Sequence, residues 1–109
     1  MLSKKKRVTK KEFQNLMKEG KTFSTQLFLF FFIKKDLPQY SFVAPKKFFK
    51  NAVKRNKFRR LGYNILRSLP LEKGSGIFFY KKQSTTATTE EIKENIYFIL
   101  RKVGFLEIE

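Results

Sequence analysis

Fifteen consecutive residues, Lys46 to Arg60, read KKFFKNAVKRNKFRR and carry eight Lys or Arg with no acid among them. Lys offers a compact point charge, and Arg a planar fork that donates two parallel hydrogen bonds to a phosphate. The chemistry available here is the holding of a polyanion. Asn56, in the middle, can read a base edge or a ribose 2′-hydroxyl, or hold neighbouring side chains. A solvated helix face is the usual fate of a charge run, but such faces place acids three or four residues from the bases, and this segment has none. Apolar residues interrupt the charges at helical spacing, so the segment reads as a folded helix rather than a disordered tail.

The chain has no Cys and no His. That removes disulfides, thiol nucleophiles, imidazole bases and zinc sites built on either residue. The nine acids are scattered, whereas a protein-only nuclease needs clustered carboxylates to hold Mg²⁺. Glu90, Glu91 and Glu94 read as N-terminal helix acids favoured by the macrodipole rather than as metal ligands. At 109 residues the chain is one domain, 1–109, and its 41% hydrophobic content with 14 Phe suffices for a core. A formal charge of +16 disfavours compactness unless an anionic partner neutralises it. The excess is uneven: residues 1–82 hold 22 bases and 4 acids, residues 90–109 three bases and five Glu.

The elements that must position these residues follow from the pattern. Residues 1–8 read as a flexible basic arm, with Lys4-Lys5-Lys6-Arg7 its cluster. Thr9 and Glu12 fit a capping box for a helix carrying Phe13, Leu16 and Met17 and ending at Gly20. Phe23 to Ile33 reads as a β-prone stretch. Within it Phe28, Phe30 and Phe32 alternate with Leu29, Phe31 and Ile33, and periodicity leaves open which set faces the helices. Lys34 to Pro38 is a turn, and Tyr40 to Ala44 a strand stopped by Pro45. A long helix is expected over about 48–68, with Phe58, Leu61, Ile65 and Leu69 on its apolar face. Arg55, Asn56, Arg59, Arg60, Tyr63 and Arg67 lie on the opposite arc with Ala52. The turn at Glu72 to Gly76 leads to a strand over 77–80 and a Ser/Thr-rich loop. A last helix follows, capped by Thr88 and Glu91, periodic from Ile92 to Val103 and closed at Gly104. The order helix, two strands, helix, strand, helix gives an α+β sandwich with helices packed on a small sheet.

Lys46-Lys47 followed by Ala52-Val53-Lys54-Arg55-Asn56-Lys57-Phe58-Arg59-Arg60 resembles the signature of the bacterial ribonuclease P protein component, roughly K-K-x(4)-A-x-x-R-N-R-x-[KR]-R. The expected order of elements matches that family over nearly the whole chain. Lys57 stands where the family usually has Arg, Tyr63-Asn64 where it commonly has Arg-Glu, and Pro45 where it has Ser. A family Arg-Leu pair aligns with Lys6-Arg7, or with Arg7-Val8 after a one-residue deletion. The resemblance implies a protein that binds a catalytic RNA subunit and the 5′ leader of precursor tRNA, with Mg²⁺ held mainly by RNA and substrate. It implies RNA-subunit contacts from Lys46, Lys47, Lys50, Lys54, Arg55, Asn56, Lys57, Arg59 and Arg60. It also implies a leader cleft between the first helix and the sheet, where Phe13, Met17 and Phe31 fall at matching positions. Catalytic residues on this chain are not expected, and one protein per RNA is.

Other readings remain open on the residues alone. A basic ribosomal RNA-binding protein shares the size, charge and α+β build, and the cleft aromatics could equally be core. A membrane-surface role fits less well, since the apolar stretch reads as strand and its seven-residue run falls short of the roughly 20 a span needs. With no secretory signal in view, a cytoplasmic location is expected.

Overall fold

The computed structural model describes residues 8–36, 38–71 and 74–106. The cluster Lys4 to Arg7, the Arg-Leu alignment at 6–8 in its first two residues, Leu37 and the Glu72-Lys73 turn lie outside the described residues.

Among the described residues three α-helices and four strands, with a short 3-10 helix at Lys82–Thr86, form one α+β sandwich: α1 Lys10–Glu19, β1 Lys21–Ser24, β2 Phe28–Ile33, β3 Gln39–Val43, α2 Ala52–Arg67, β4 Ser75–Tyr80 and α3 Thr89–Lys102. The expected order holds with one addition. The stretch from Phe23 to Ile33 is a hairpin rather than a single strand, because Thr25 makes a turn. Its backbone N–H donates to the Phe28 carbonyl (2.8 Å) and its hydroxyl accepts from the Phe28 N–H (3.1 Å). The sheet order is β1-β2-β4-β3, with β1, β2 and β4 antiparallel and β3 parallel to β4.

The register assigns every side chain to a face. Phe28 pairs with Tyr80, Phe30 with Phe78, and Phe42 also with Phe78, so these rings share one face and are buried against α2 and α3. Phe42 and Phe78 stack at 4.7 Å, Phe30 and Phe78 at 4.2 Å. Leu29, Phe31, Ile77 and Phe79 share the opposite face, over which α1 lies across β2 and β4. The alternation that periodicity left open is thereby resolved: the even-numbered Phe face the helical core, and Phe31 faces α1.

Both expected capping boxes form. Thr9 Oγ1 accepts from the Glu12 N–H (3.2 Å) and Thr88 Oγ1 from the Glu91 N–H (3.2 Å), each Glu reaching back to the cap amide. Gly104, at φ +85°, turns the chain after α3 so that Phe105 and Leu106 bury themselves on the core.

Two expectations about α2 are corrected. The helix begins at Ala52, four residues later than the pattern implied, so Lys46, Lys47 and Lys50 precede it. The Pro45 carbonyl accepts from the Phe48 and Phe49 N–H groups, closing a separate turn, and Asn51 caps α2 by accepting from the Val53 N–H at 2.8 Å. A helix running unbroken from residue 48 would carry Phe49 on the same side as Asn56, facing water. The break turns Phe49 inward, where it is wholly buried, 4.8 Å from the Phe58 ring and 5.8 Å from Tyr80. Burying one Phe contributes about 1.5–3 kcal/mol, enough to decide the geometry of a short segment.

The second correction is Tyr63, which is 3% exposed rather than part of the polar arc. Toward its C-terminal end α2 passes over the edge strand β3, at Gly62. A Cβ there would meet the Phe42 ring at 2.5 Å. Tyr63 then packs edge-on against Phe42, and its hydroxyl accepts the Phe42 backbone N–H at 3.3 Å. An edge strand leaves backbone groups needing partners, and Tyr63 supplies one.

Candidate nucleic-acid interface

The cationic segment is assembled from two pieces, the Pro45–Phe49 turn and the exposed side of α2. Phe49 anchors the turn from below. Arg55 ties it from above: Nη1 donates to the Phe49 carbonyl (2.8 Å) and to the Lys50 carbonyl (3.3 Å). Arg55 is accordingly half-buried, while Lys46, Lys47, Lys50, Lys54, Asn56, Lys57, Arg59 and Arg60 are all exposed. One of the nine expected contact residues therefore spends part of its guanidinium on its own chain. Asn56 does something similar on a smaller scale, its Oδ1 accepting from Arg59 Nη1 at 3.5 Å.

What holds this face in place is Tyr80. Its hydroxyl, buried on β4, donates to the Phe58 carbonyl on α2 at 2.6 Å. Burial pushes the Tyr80 phenol far above its ordinary pKa, so it stays a donor throughout the accessible pH range. The bond fixes the first half of α2 against the sheet with its cations turned outward.

Among the described residues the ion pair is Lys35 with Glu12, at 3.0 Å, remote in sequence from the 46–60 segment. No carboxylate of the described chain neutralises the cationic face. Arg59 and Arg60 are both exposed on α2 and, being consecutive, project about 100° apart around its axis.

The second region lies on the other face of the sheet. Phe13 of α1 and Phe31 of β2 both approach Phe79 of β4, with ring centroids 6.1 and 5.5 Å apart. All three rings are half-buried, and Met17, one turn beyond Phe13, is 43% exposed. Beside them Val43, in register with Phe79 on β3, is half-buried, so the face runs on past α1. The structure thus brings Phe13 and Phe31 around one ring, with Met17 at the rim. Sequence reasoning missed that central ring. Phe79 sits in a short run, IFFY, where only the strand register tells which of two adjacent Phe is buried.

Glu12 orients α1 over this cleft. Burial opposes its ionisation, but hydrogen bonds from Thr9 and Lys35, with the Lys35 charge, outweigh it and lower its pKa. The pair joins α1 to the segment after β2. Lys81, at the end of β4, binds the β1–β2 turn instead, donating to the Thr25 carbonyl at 2.7 Å and reaching Ser24.

Of the expected helix acids, Glu90 and Glu91 fall in the first turn of α3 and Glu94 beyond it; Glu91 is engaged in its capping box, which lowers its pKa. Among the described residues no three His, Cys, Asp or Glu side chains gather as metal ligands. None of the described helices is long and apolar enough to cross a membrane.

The family model described as Ribonuclease P matches residues 2–104. The fold is similar to that of the Staphylococcus aureus RNase P protein, at 19% identity and TM-score 0.79, covering 91% of this chain and 94% of that one. A second Staphylococcus aureus RNase P protein structure aligns at 21% identity and TM-score 0.75 over 100% of this chain and 99% of that one. The RNase P protein from Thermotoga maritima aligns at 22% identity and TM-score 0.78, covering 88% and 96%. No curated protein matches the chain significantly.

Proposed function

The chain belongs to the ribonuclease P protein family, and we propose that it acts as the protein subunit that binds the catalytic RNA and grips the 5′ leader of precursor tRNA. Membership implies a tRNA-processing endoribonuclease holoenzyme and partnership with its RNA. The finer division of labour rests on the two regions described above.

The observation that carries the reading is the cationic face: eight Lys and Arg in fifteen residues, three on the segment before α2 and five on α2 itself, without a carboxylate partner among the described residues. Such a face gains binding free energy by displacing counterions condensed on RNA, and its affinity falls steeply with salt. Lys46, Lys47, Lys50, Lys54, Lys57, Arg59 and Arg60 would meet RNA-subunit phosphates, while Arg55 sets the turn against the helix and has its remaining N–H groups to offer. Neutralisation lets two polyanions, ribozyme and precursor, approach each other at modest Mg²⁺. The ion would be held by RNA and substrate, since the described acids are dispersed or engaged in caps.

The aromatic cleft suits an unpaired strand. Stacking of a base on an aromatic ring is worth about 1–3 kcal/mol and tolerates any sequence. Phe31 and Phe79, with Phe13 and Met17 at the wall, would hold leader nucleotides that mature tRNA lacks. The subunit would thereby favour substrate over product without taking part in the chemistry. A cytoplasmic holoenzyme with one protein per RNA follows from the same reading.

Reconstitution with the RNA subunit of the same genome tests it. Multiple-turnover cleavage of precursor tRNA, followed across Mg²⁺ concentration, should require less Mg²⁺ when the chain is present. Identical Mg²⁺ dependence with and without it would refute the proposal.

A further inference from the structure

A shallow groove runs between α2 and the first residue of α3, with Thr89 as its far wall. We propose that this groove takes a single unstacked nucleotide of the RNA subunit, an inference that rests on the docking role proposed above and adds base contact to phosphate contact.

The floor is apolar. Val53 is 76% exposed, the most exposed large hydrophobic side chain among the described residues, and half-buried Leu61 lies two turns further along. A β-branched residue on an exposed helical position has lower helix propensity than Ala, and Val53 packs nothing in the core. A nucleobase offers what such a floor lacks, a flat apolar face that loses contact with water on docking.

The rim is polar and cationic. Asn56 and Asn64 flank the groove, both exposed. Asn56 Oδ1 accepts from Arg59, and its amide N–H groups and the second lone pair of Oδ1 are left to meet a base edge or a 2′-hydroxyl. Lys57 and Arg60, on adjacent turns, have no carboxylate partner among the described residues and line the path that the flanking phosphates would follow. Among the described residues no acid lines the groove, and the Glu91 carboxylate accepts from the Thr88 N–H at 3.0 Å. Flat apolar floor, amide donors and paired cations are what an unstacked ribonucleotide requires. The groove also continues the cationic face of α2, so a strand bound there needs no second docking event. A second copy of the chain, at formal +16, would bring like charge against the cationic rim, and an acidic protein segment would match the charge and the amides without needing the apolar side chains.

The double variant Val53→Ala/Asn64→Ala tests the site. Both side chains are exposed and neither change removes charge, and Ala is the better helix former, so folding should be preserved. Affinity for the cognate RNA subunit should fall about tenfold, as expected for two modest contacts, with the slope of log affinity against log salt unchanged. Lys57→Ala, measured alongside, should lower that slope. Parental affinity in the double variant overturns the groove proposal. A loss accompanied by a flattened slope overturns it too, since that would mean displaced cations. If Lys57→Ala and Arg60→Ala also leave affinity and slope unchanged, the docking role itself fails. Self-association of the parent chain that the double variant abolishes, with RNA affinity intact, would assign the groove to a second copy instead.

Discussion

The cationic face and the aromatic cleft lie on opposite sides of the same four-stranded sheet and are built in opposite ways. The first comes from one stretch of chain, Lys46 to Arg60, whose cations are exposed except for half-buried Arg55 and have no carboxylate partner among the described residues. The second gathers Phe13, Phe31 and Phe79 from three separate elements, all half-buried, with Phe13 and Phe31 each in ring contact with Phe79. A charged surface acts over roughly a Debye length, about 8 Å in physiological salt, and tolerates imprecise placement. Stacking acts only on contact, so a cleft must be held at the right width by the fold. One region should therefore respond to salt, the other to packing.

The largest expected effect comes from a residue in neither surface. Phe49→Ala removes the wholly buried anchor of the cationic turn and should cost about 3–5 kcal/mol of stability, read by chemical denaturation. It should also weaken RNA-subunit binding in protein that remains folded. A variant as stable as the parent would mean that the turn is not anchored as described.

Phe31→Ala or Phe79→Ala should lower precursor tRNA affinity by about 1–3 kcal/mol, leave mature tRNA binding unchanged, and leave the salt slope intact. Equal losses for precursor and mature tRNA would remove the distinction between the two regions. Arg59→Ala and Arg60→Ala should each reduce the salt slope by roughly 0.7–0.9, measured as RNA-subunit affinity between low and physiological salt. Arg55→Gln separates contact from positioning. As a direct contact alone it would add independently to Lys50→Ala, whereas a positioning role makes the two losses overlap in a double-mutant cycle.

The smallest effect concerns Glu12. Its pKa is lowered in the folded chain, so its contribution is present above the ordinary carboxylate value of 4.5 and is lost as pH falls through the lower folded value. Melting temperature should decline over that acidic window, and Glu12→Gln should flatten the decline. An unchanged pH profile in the variant would show that the Lys35 contact does not secure α1.

Much of the site was legible because its logic is local. The exposure of seven of the eight cations, both capping boxes and the helical spacing of Phe58 and Ile65 are relations between near neighbours, and these appear as read. The four-residue delay of α2 was hidden because burying Phe49 is a tertiary gain that overrides helical continuity. Tyr63 was misplaced because nothing in the helix pattern says that β3 is an edge strand lying beneath it. The alternating Phe of β2 gave two equivalent faces until pairing with β4 distinguished them. Geometry alone does not separate this chain from small basic α+β proteins of other families; the family match does that.

The amino-acid order on its own settled the charge, the absence of Cys and His with the thiol, imidazole and zinc chemistry built on them, and an α+β build, since these depend on composition and short-range periodicity. Only the folded chain decided which Phe line a cleft, which Arg is tethered to carbonyls, and where Phe79 sits. Strand register and helix docking are set by contacts between residues tens of positions apart, and such contacts leave no periodic trace along the sequence.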